Sequence, residues 1–343
     1  MKKTRLLGLL LVLTITASAL LSCKDKGGAG DESSSGSYIE RSEYTVTFES
    51  NGGSSVAPIT VYRNTQLLDV PETTREDYVF TGWTYEGEEW EFGKGGEYVR
   101  SDMTLYANWA KLSTIFQCKE ENGSITLTKL INKDDFSTLI LPESFNGMPI
   151  TKIGAEVFKG FTFDANDSLY RGLRSITFPE TVVSVGESAF ERCSSLSVTF
   201  KGKITEFGES AFFEAGIMSQ IELGEGLKTI PFRAFSSCPI TNVIIPDSVE
   251  SIGENAFELS VYLQTVVVPK GATVEDSAFR SCESLRTVFF RGNESEFANL
   301  SISGNNDPFK SANVYYYSDS TDVENDKFWN YGSSGSPSII VSK

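Results

Sequence analysis

The sequence predicts a β-rich solenoid preceded by a small β module, and three observations carry that expectation. A Phe returns on a fixed period: Phe190, Phe212, Phe235, Phe257 and Phe279 lie 22, 23, 22 and 22 residues apart, each directly after an Ala (Ala189, Ala211, Ala234, Ala256, Ala278). Self-similarity at this period means one small supersecondary unit stacked on copies of itself. Each period also carries a short alternating apolar run that reads as a strand. Ahead of the array lies an aromatic-rich stretch with strand patterning of its own. At 343 residues the chain exceeds one ordinary compact domain and fits a repeat array plus a smaller module.

The first 22 residues read as a targeting segment. Lys2, Lys3 and Arg5 form a basic start, and Leu6 to Leu13 form an apolar run too short to span a bilayer as a stable helix. Leu20-Leu21-Ser22-Cys23 follows. This resembles the bacterial lipoprotein signal, in which the Cys is acylated and begins the mature chain; Leu21 departs from that pattern. The resemblance implies lipidation at Cys23, and a three-acyl anchor there would hold firmly, since one chain alone binds only marginally. Residues 23–43 are rich in Gly, Ser, Asp and Glu and read as a flexible tether with a reach of roughly 25 Å.

The module spans 44–110. Tyr44-Thr45-Val46-Thr47-Phe48 alternates as a strand, and Asn51-Gly52-Gly53 signals a turn. Tyr78 to Trp83 and Met103 to Trp109 are two further aromatic-rich strands. A domain this small needs large side chains to bury enough surface, so Trp83, Trp90 and Trp109 are read as core, with a weak adhesive role as the alternative. The segments VTFESNGG, FTGW, EWEF and TLYANW together resemble the Listeria–Bacteroides repeat, the B-repeat of internalin-type surface proteins. That resemblance implies a small β-grasp-like domain on an extracellular protein.

The array spans 115–317. One unit reads Leu173 to Pro179, then Val182, Val185-Gly186 and Ala189-Phe190; a later one reads Ile240 to Pro246, then Val249, Ile252-Gly253 and Ala256-Phe257. In the alternating run Ile176 and Phe178 point inward. Pro179 and Pro246 end their strands by removing a donor. Gly186, Gly208 and Gly253 are expected to supply a backbone conformation that a Cβ would strain, followed by a short helical turn. The small Ala before each Phe lets neighbouring coils approach, and the Phe side chains are expected to stack as a buried ladder.

This pattern resembles the BspA-like leucine-rich repeat. Leu139 to Ser144, Ile150 to Gly154 and Val157-Phe158 open it, while Phe297, Asn305 to Pro308 and Val314 to Tyr317 resemble the family's closing strand. Pro231 and Glu275 replace the Gly, and Phe161 to Tyr170 is an insertion. The resemblance implies a mixed, β-rich fold: a leucine-rich-repeat solenoid with a parallel sheet along one face, preceded by the β-grasp-like domain. Residues 318–343 are left as a C-terminal tail.

Cys193, Cys238 and Cys282 each fall three residues after a ladder Phe, two coils apart. Coils stacked at ~4.8 Å put those Cα atoms about 10 Å apart, beyond the ~7 Å a disulfide tolerates. Free, buried thiols are expected, with Ala215 and Ser260 in the same slot of the intervening coils; Cys118 has no obvious partner.

Composition narrows the function classes. With 30 basic against 46 acidic residues and a formal charge of −16, the chain is a poor match for nucleic acid. It contains no His, which removes the commonest general base and the commonest zinc ligand. No nucleophile elbow, phosphate loop or dinucleotide fingerprint is present. Gly93-Lys94-Gly95-Gly96 reads as a turn, and Asp164 to Asp167 lacks the calcium-loop length and terminal Glu. No enzyme activity, cofactor or metal is expected.

The outward strand face is the candidate binding surface. Period 2 places Ser175, Ser197, Gln220, Asn242, Thr265 and Thr287 in one row, and Thr177, Thr199, Glu222, Ile244, Val267 and Phe289 in the next. The second row turns apolar toward the C-terminus, as an exposed contact patch would or as good strand formers would in any case. The expected function is a monomeric, membrane-anchored cell-surface or outer-membrane lipoprotein that binds a host or microbial protein, adhesin-like, on this face. The alternative is a glycan-binding or nutrient-capture accessory of an outer-membrane uptake system. On the first reading Phe289→Asp abolishes ligand capture and leaves folding intact.

Overall fold

Alternation of side chains sets the first layer of the structure. The computed structural model describes residues 42–93, 95–132, 136–161, 173–194, 196–216, 222–320, 327–332 and 336–340. Here the alternating runs of the repeats are strands, paired in parallel and in register from coil to coil: Thr138–Ile140 with Ser175–Phe178, and Ser175–Phe178 with Ser197–Phe200. Farther on, Asn242–Ile244, Thr265–Pro269, Thr287–Arg291 and Asn313–Tyr317 repeat the arrangement. A second set of shorter parallel strands lies across the core, with Ile153, Val185 and Phe207 in line, then Ile230, Ile252 and Val274. The inward residues of both sets belong to one continuous core.

The Phe ladder runs up the middle of that core. Successive rings of Phe190, Phe212, Phe235, Phe257 and Phe279 stack at 5.2, 5.4, 5.5 and 5.2 Å, with planes within 8° of parallel. Phe158 extends the stack at one end and Phe309 at the other, each 4.9 Å from its neighbour. Phe178 and Phe200 form a second, shorter stack whose rings meet the first nearly edge-on. Offset stacks and edge contacts are the favoured arrangements of aromatic rings. A parallel ladder of hydrogen bonds follows the rings. The N–H groups of Phe158, Phe190, Phe212, Phe235 and Phe257 donate to the carbonyls of Ala189, Ala211, Ala234, Ala256 and Ala278, one coil on, at 2.8 to 2.9 Å. The small Ala therefore does two things, bringing the coils close and offering its carbonyl to the backbone N–H of the preceding coil's ring.

The turn that carries each ring is not helical. Its residues form consecutive turns in which the positions two before and two after the Phe take positive φ: Ser188 and Arg192, Ser210 and Glu214, Arg233 and Ser237, Asn255 and Leu259, Ser277 and Ser281. The repeat glycines are needed for another reason than the one expected. Gly186, Gly208 and Gly253 do not have positive φ. A Cβ on Gly208 would instead lie 2.2 Å from the Glu187 backbone N, one on Gly186 2.7 Å from Ala155 N, and one on Gly253 2.8 Å from Ile230 O. Close approach of one coil's backbone to the previous coil excludes the side chain; backbone conformation does not.

Among the described residues the four thiols are free; Cys193, Cys238 and Cys282 are buried and Cys118 is half-buried. In this slot Cys238, Ser260 and Cys282 each donate to the carbonyl of the preceding coil's ladder residue, Phe212, Phe235 and Phe257, at 2.8, 2.8 and 3.1 Å. Burial pushes the Cys193, Cys238 and Cys282 thiols up to about 12, so they stay protonated.

The module is a mixed sheet. Glu43–Glu49 pairs antiparallel with Ile59–Tyr62 and parallel with Met103–Lys111, which pairs antiparallel with Tyr78–Tyr85. That is the strand order of a β-grasp sheet. Trp83 and Trp90 lie in its core with Phe48, Phe80 and Leu105, and Trp109 packs against it. The Trp83 indole donates to Pro71 O and the Trp109 indole to Ser50 O.

Ser42–Lys343 forms a single compact unit, and the module is joined to the array through a shared sheet. Phe80 on Tyr78–Tyr85 pairs antiparallel with Ile140 on the first strand of the array. One face of this seam looks into the solenoid core through Val79 and Leu139; the other looks into the module core through Phe80 and Ile140. The first array edge is thereby covered rather than left open. Below it, Phe116–Glu121 and Ser124–Leu130 form a hairpin that closes the second strand set, with Phe116 edge-on to Phe158.

The far end is closed by elements the periodicity does not announce. Phe279 N–H finds no further Ala carbonyl and donates to Asn306 Oδ1 at 2.8 Å. Asn306 is fully buried, and its Nδ2 donates to Glu275 O and Ser303 O. A side-chain amide thus stands in for the backbone of an absent coil. Asn293, part of an Asn-Glu-Ser triplet, caps the short Glu294–Ala298 helix through a reciprocal capping box with Glu296. Beyond Tyr317 the chain is not simply a tail. Phe328–Tyr331 pairs parallel with Asn313–Tyr317, and Pro337–Ile340 pairs antiparallel with Phe328–Tyr331.

Candidate ligand-binding face

The outward rows exist where the strands pair, in two groups. Ser175 faces Ser197 and Thr177 faces Thr199. Asn242, Thr265 and Thr287 line up, as do Ile244, Val267 and Phe289. Among the described residues no strand joins the two groups: Ser197–Phe200 ends one sheet and Asn242–Ile244 begins the other. Glu222 lies between them, exposed, 3.4 Å from Lys203, and the pairing beside it is an isolated bridge between Ile204 and Leu223. Gln220 lies outside the described residues, as do Cys23, the targeting segment, all of the tether but Ser42 and Glu43, and Asp164 to Asp167 with most of the insertion.

Both ends of the face are covered. At the first, Ile140 occupies the outward row and is buried in the module core. The module reaches further, with Glu72 in an ion pair with Lys201 at 2.6 Å, Ser137 hydroxyl bonded to Glu89, and Asp77 accepting from Asn146 N–H. At the other end the C-terminal hairpin lies over the apolar part of the row. Trp329, fully buried, packs 5.2 Å from Phe289, and Val267, Phe289, Trp329 and Tyr315 form a cluster of their own. The Trp329 indole donates to Phe290 O at 3.0 Å. Tyr331 is latched by Arg291, which also donates to Ile245 O and pairs with Asp247 at 2.9 Å. Burial works against the Arg291 charge, but the Tyr331 hydroxyl and Asp247 carboxylate outweigh it and raise its pKa.

Two of the expected contact residues are therefore withdrawn. Val267 is 0% and Phe289 6% exposed, because an apolar outward row is cheaper to cover with the chain's own aromatic hairpin than to leave in water. Phe289→Asp would bury a carboxylate in that cluster and damage folding, so it does not report on binding. The open stretch is the middle: Thr177 and Thr199 are half-buried, Thr265 and Thr287 likewise, Asn242 is exposed, and Ile244 is 43% exposed. Ile244 is thus the apolar residue of the predicted row that water reaches.

Comparison with known proteins bears on what such a face belongs to. A family model described as BspA type leucine rich repeat region matches residues 129–263 and 213–331, in six copies, more than half of the chain. The chain belongs to the BspA type leucine rich repeat family. The model of the Listeria-Bacteroides repeat domain matches residues 44–108. The chain is similar to the T. pallidum leucine rich repeat protein, at 25% identity and a TM-score of 0.44, covering 52% of this chain and 84% of that one. It is also similar to a leucine rich cell surface protein from Faecalibacterium prausnitzii, at 21% identity and a TM-score of 0.30, covering 52% of this chain and 69% of that one. A protein of Evansella cellulosilytica named "Putative Gly-rich membrane protein" is 33% identical over 104 residues, 29% of this chain; the match spans 12% of that protein's length. No helix among the described residues is long and apolar enough to cross a membrane.

Sequence reasoning on this BspA-type array missed Ile140, Trp329, Tyr331 and Arg291, the residues that bound the open stretch. The aromatic run Phe328-Trp329-Asn330-Tyr331 was the available signal, since such density in a polar tail asks for a surface to cover.

Proposed function

We propose that the chain is a membrane-anchored bacterial cell-surface lipoprotein that captures a macromolecular ligand, without catalysis, on the middle of its strand face. The contact residues are Ile244 and Asn242 with Thr177, Thr199, Glu222, Thr265 and Thr287 around them. One observation carries this reading: the outward row is covered at both ends by the protein itself, leaving Ile244 exposed on the face between. A protein ligand is favoured, since an exposed apolar residue ringed by hydroxyl and amide groups matches the core-and-rim plan of a protein contact. The anchor is acylated Cys23, and the names of the two Evansella cellulosilytica relatives, both given as membrane proteins, support a place at the membrane surface, outer membrane or otherwise. The hydroxyl rows, Ser175 with Ser197 and Thr265 with Thr287, favour the second reading, a glycan ligand.

The test is capture of purified extracellular-matrix proteins and an oligosaccharide array by the wild-type chain and by Ile244→Asp. The expected result is a protein ligand whose capture falls about tenfold in the variant, with thermal stability unchanged because the side chain is exposed. A ligand held equally well by both proteins would move the site elsewhere, and capture confined to the oligosaccharide array would select the glycan reading.

A further inference from the structure

A second surface stands apart from the array. The outer face of the module sheet carries a shallow depression of about 610 Å³, lined by Thr45, Thr47, Thr104 and Tyr106 with Tyr85, Glu86, Asp102 and Met103. Thr47 and Thr104 are direct neighbours on adjacent strands. Tyr106 is 47% exposed and makes no side-chain hydrogen bond among the described residues. Its strand is fixed beside it, since Thr84 Oγ1 donates to Tyr106 O. One Asp102 oxygen accepts from Thr45 N–H at 2.8 Å, which orients the carboxylate at the rim. Glu86 sits at the hairpin turn with positive φ, exposed and in no ion pair among the described residues.

We propose that this depression is a subsite for a neutral oligosaccharide, with one sugar ring lying on Tyr106. A pyranose has an apolar C–H face and a rim of hydroxyls. An exposed aromatic ring beside three hydroxyls and two carboxylates is the complement of both, since the ring covers the C–H face and the oxygens exchange hydrogen bonds with the rim. The lining also narrows the ligand. It contains no Lys or Arg, so it opposes anionic sugars and phosphates. It offers no exposed aliphatic side chain, Met103 being buried, so it gives a lipid nothing to cover. The subsite gives the module a binding role of its own and does not depend on the reading of the array face.

Calorimetric titration of the full chain with cellotetraose, xylotetraose, mannotetraose and laminaritetraose, and with tetralysine as the cationic control, tests it. At least one tetrasaccharide is expected to bind in the millimolar range. Tyr106→Ala should weaken it about tenfold, Tyr106→Phe should keep it because the ring remains, and Thr47→Val and Glu86→Gln should each weaken it. Ile244→Asp should leave it unchanged, which separates this site from the array face. The proposal is overturned if no tetrasaccharide binds, if Tyr106→Ala binds as well as wild type, or if tetralysine binds in their place.

Discussion

Gly208 shows what stacking asks of a single residue. Its place in the period is legible in the sequence, but its reason is not, because periodicity locates a residue along the chain and says nothing about the coil beside it. The Cβ of an Ala at 208 would meet the Glu187 backbone at 2.2 Å, and backbone cannot rotate away as a side chain can. Gly208→Ala should therefore destabilise by roughly 1–3 kcal/mol, the usual size of an overpacking effect, read as a lower denaturation midpoint at unchanged slope. Ser210→Gly, at a positive-φ position, should cost far less; equal effects of the two would return the argument to backbone conformation. The Cys slot is the opposite case. Spacing alone places Cys193, Cys238 and Cys282 in one position, and the equivalent carbonyl partners of Cys238, Ser260 and Cys282 explain why Ser can stand there for Cys, while Ala215 fills the slot without a donor.

At the scale of elements, strands and rings were legible and the ends were not. A period identifies only what repeats. Phe309 completes the ring stack but follows Pro308 rather than an Ala and lies off the interval, so the pattern does not select it. Asn306 acts through a side chain in place of a coil that does not exist, and no repeat can foreshadow that. Asn306→Leu should leave the buried Phe279 N–H without a partner, at roughly 1–3 kcal/mol for a buried group orphaned, while the Glu275 carbonyl keeps the Ala278 N–H and Ser303 is exposed to water. Hydrogen exchange should then quicken at Phe279 and through the last coil while Phe212 and Phe235 keep their protection. Unchanged exchange at Phe279 would mean that the cap is held by something other than this amide. The module was read correctly as an aromatic-cored sheet, yet its strand Tyr78–Tyr85 gave no sign that Phe80 and Val79 serve two different cores, because alternation shows two faces without naming what each one meets.

At the scale of the whole molecule, the binding face is defined by what covers it. The module closes one end through Ile140 and the Glu72–Lys201 pair, and the C-terminal hairpin closes the other through Trp329. The outward rows were legible from the alternation, but their exposure was not, since the covering elements come from sequence far outside the repeats. Hydroxyl-radical footprinting of the full chain reads this directly, residue by residue. Ile244 should be oxidised at a rate comparable with exposed Tyr262 after correction for intrinsic reactivity, while Phe289 and Trp329 stay protected despite their reactive rings. Oxidation of Trp329 and Phe289 as fast as Tyr262, or protection of Ile244, would contradict a strand face closed at both ends and open in its middle.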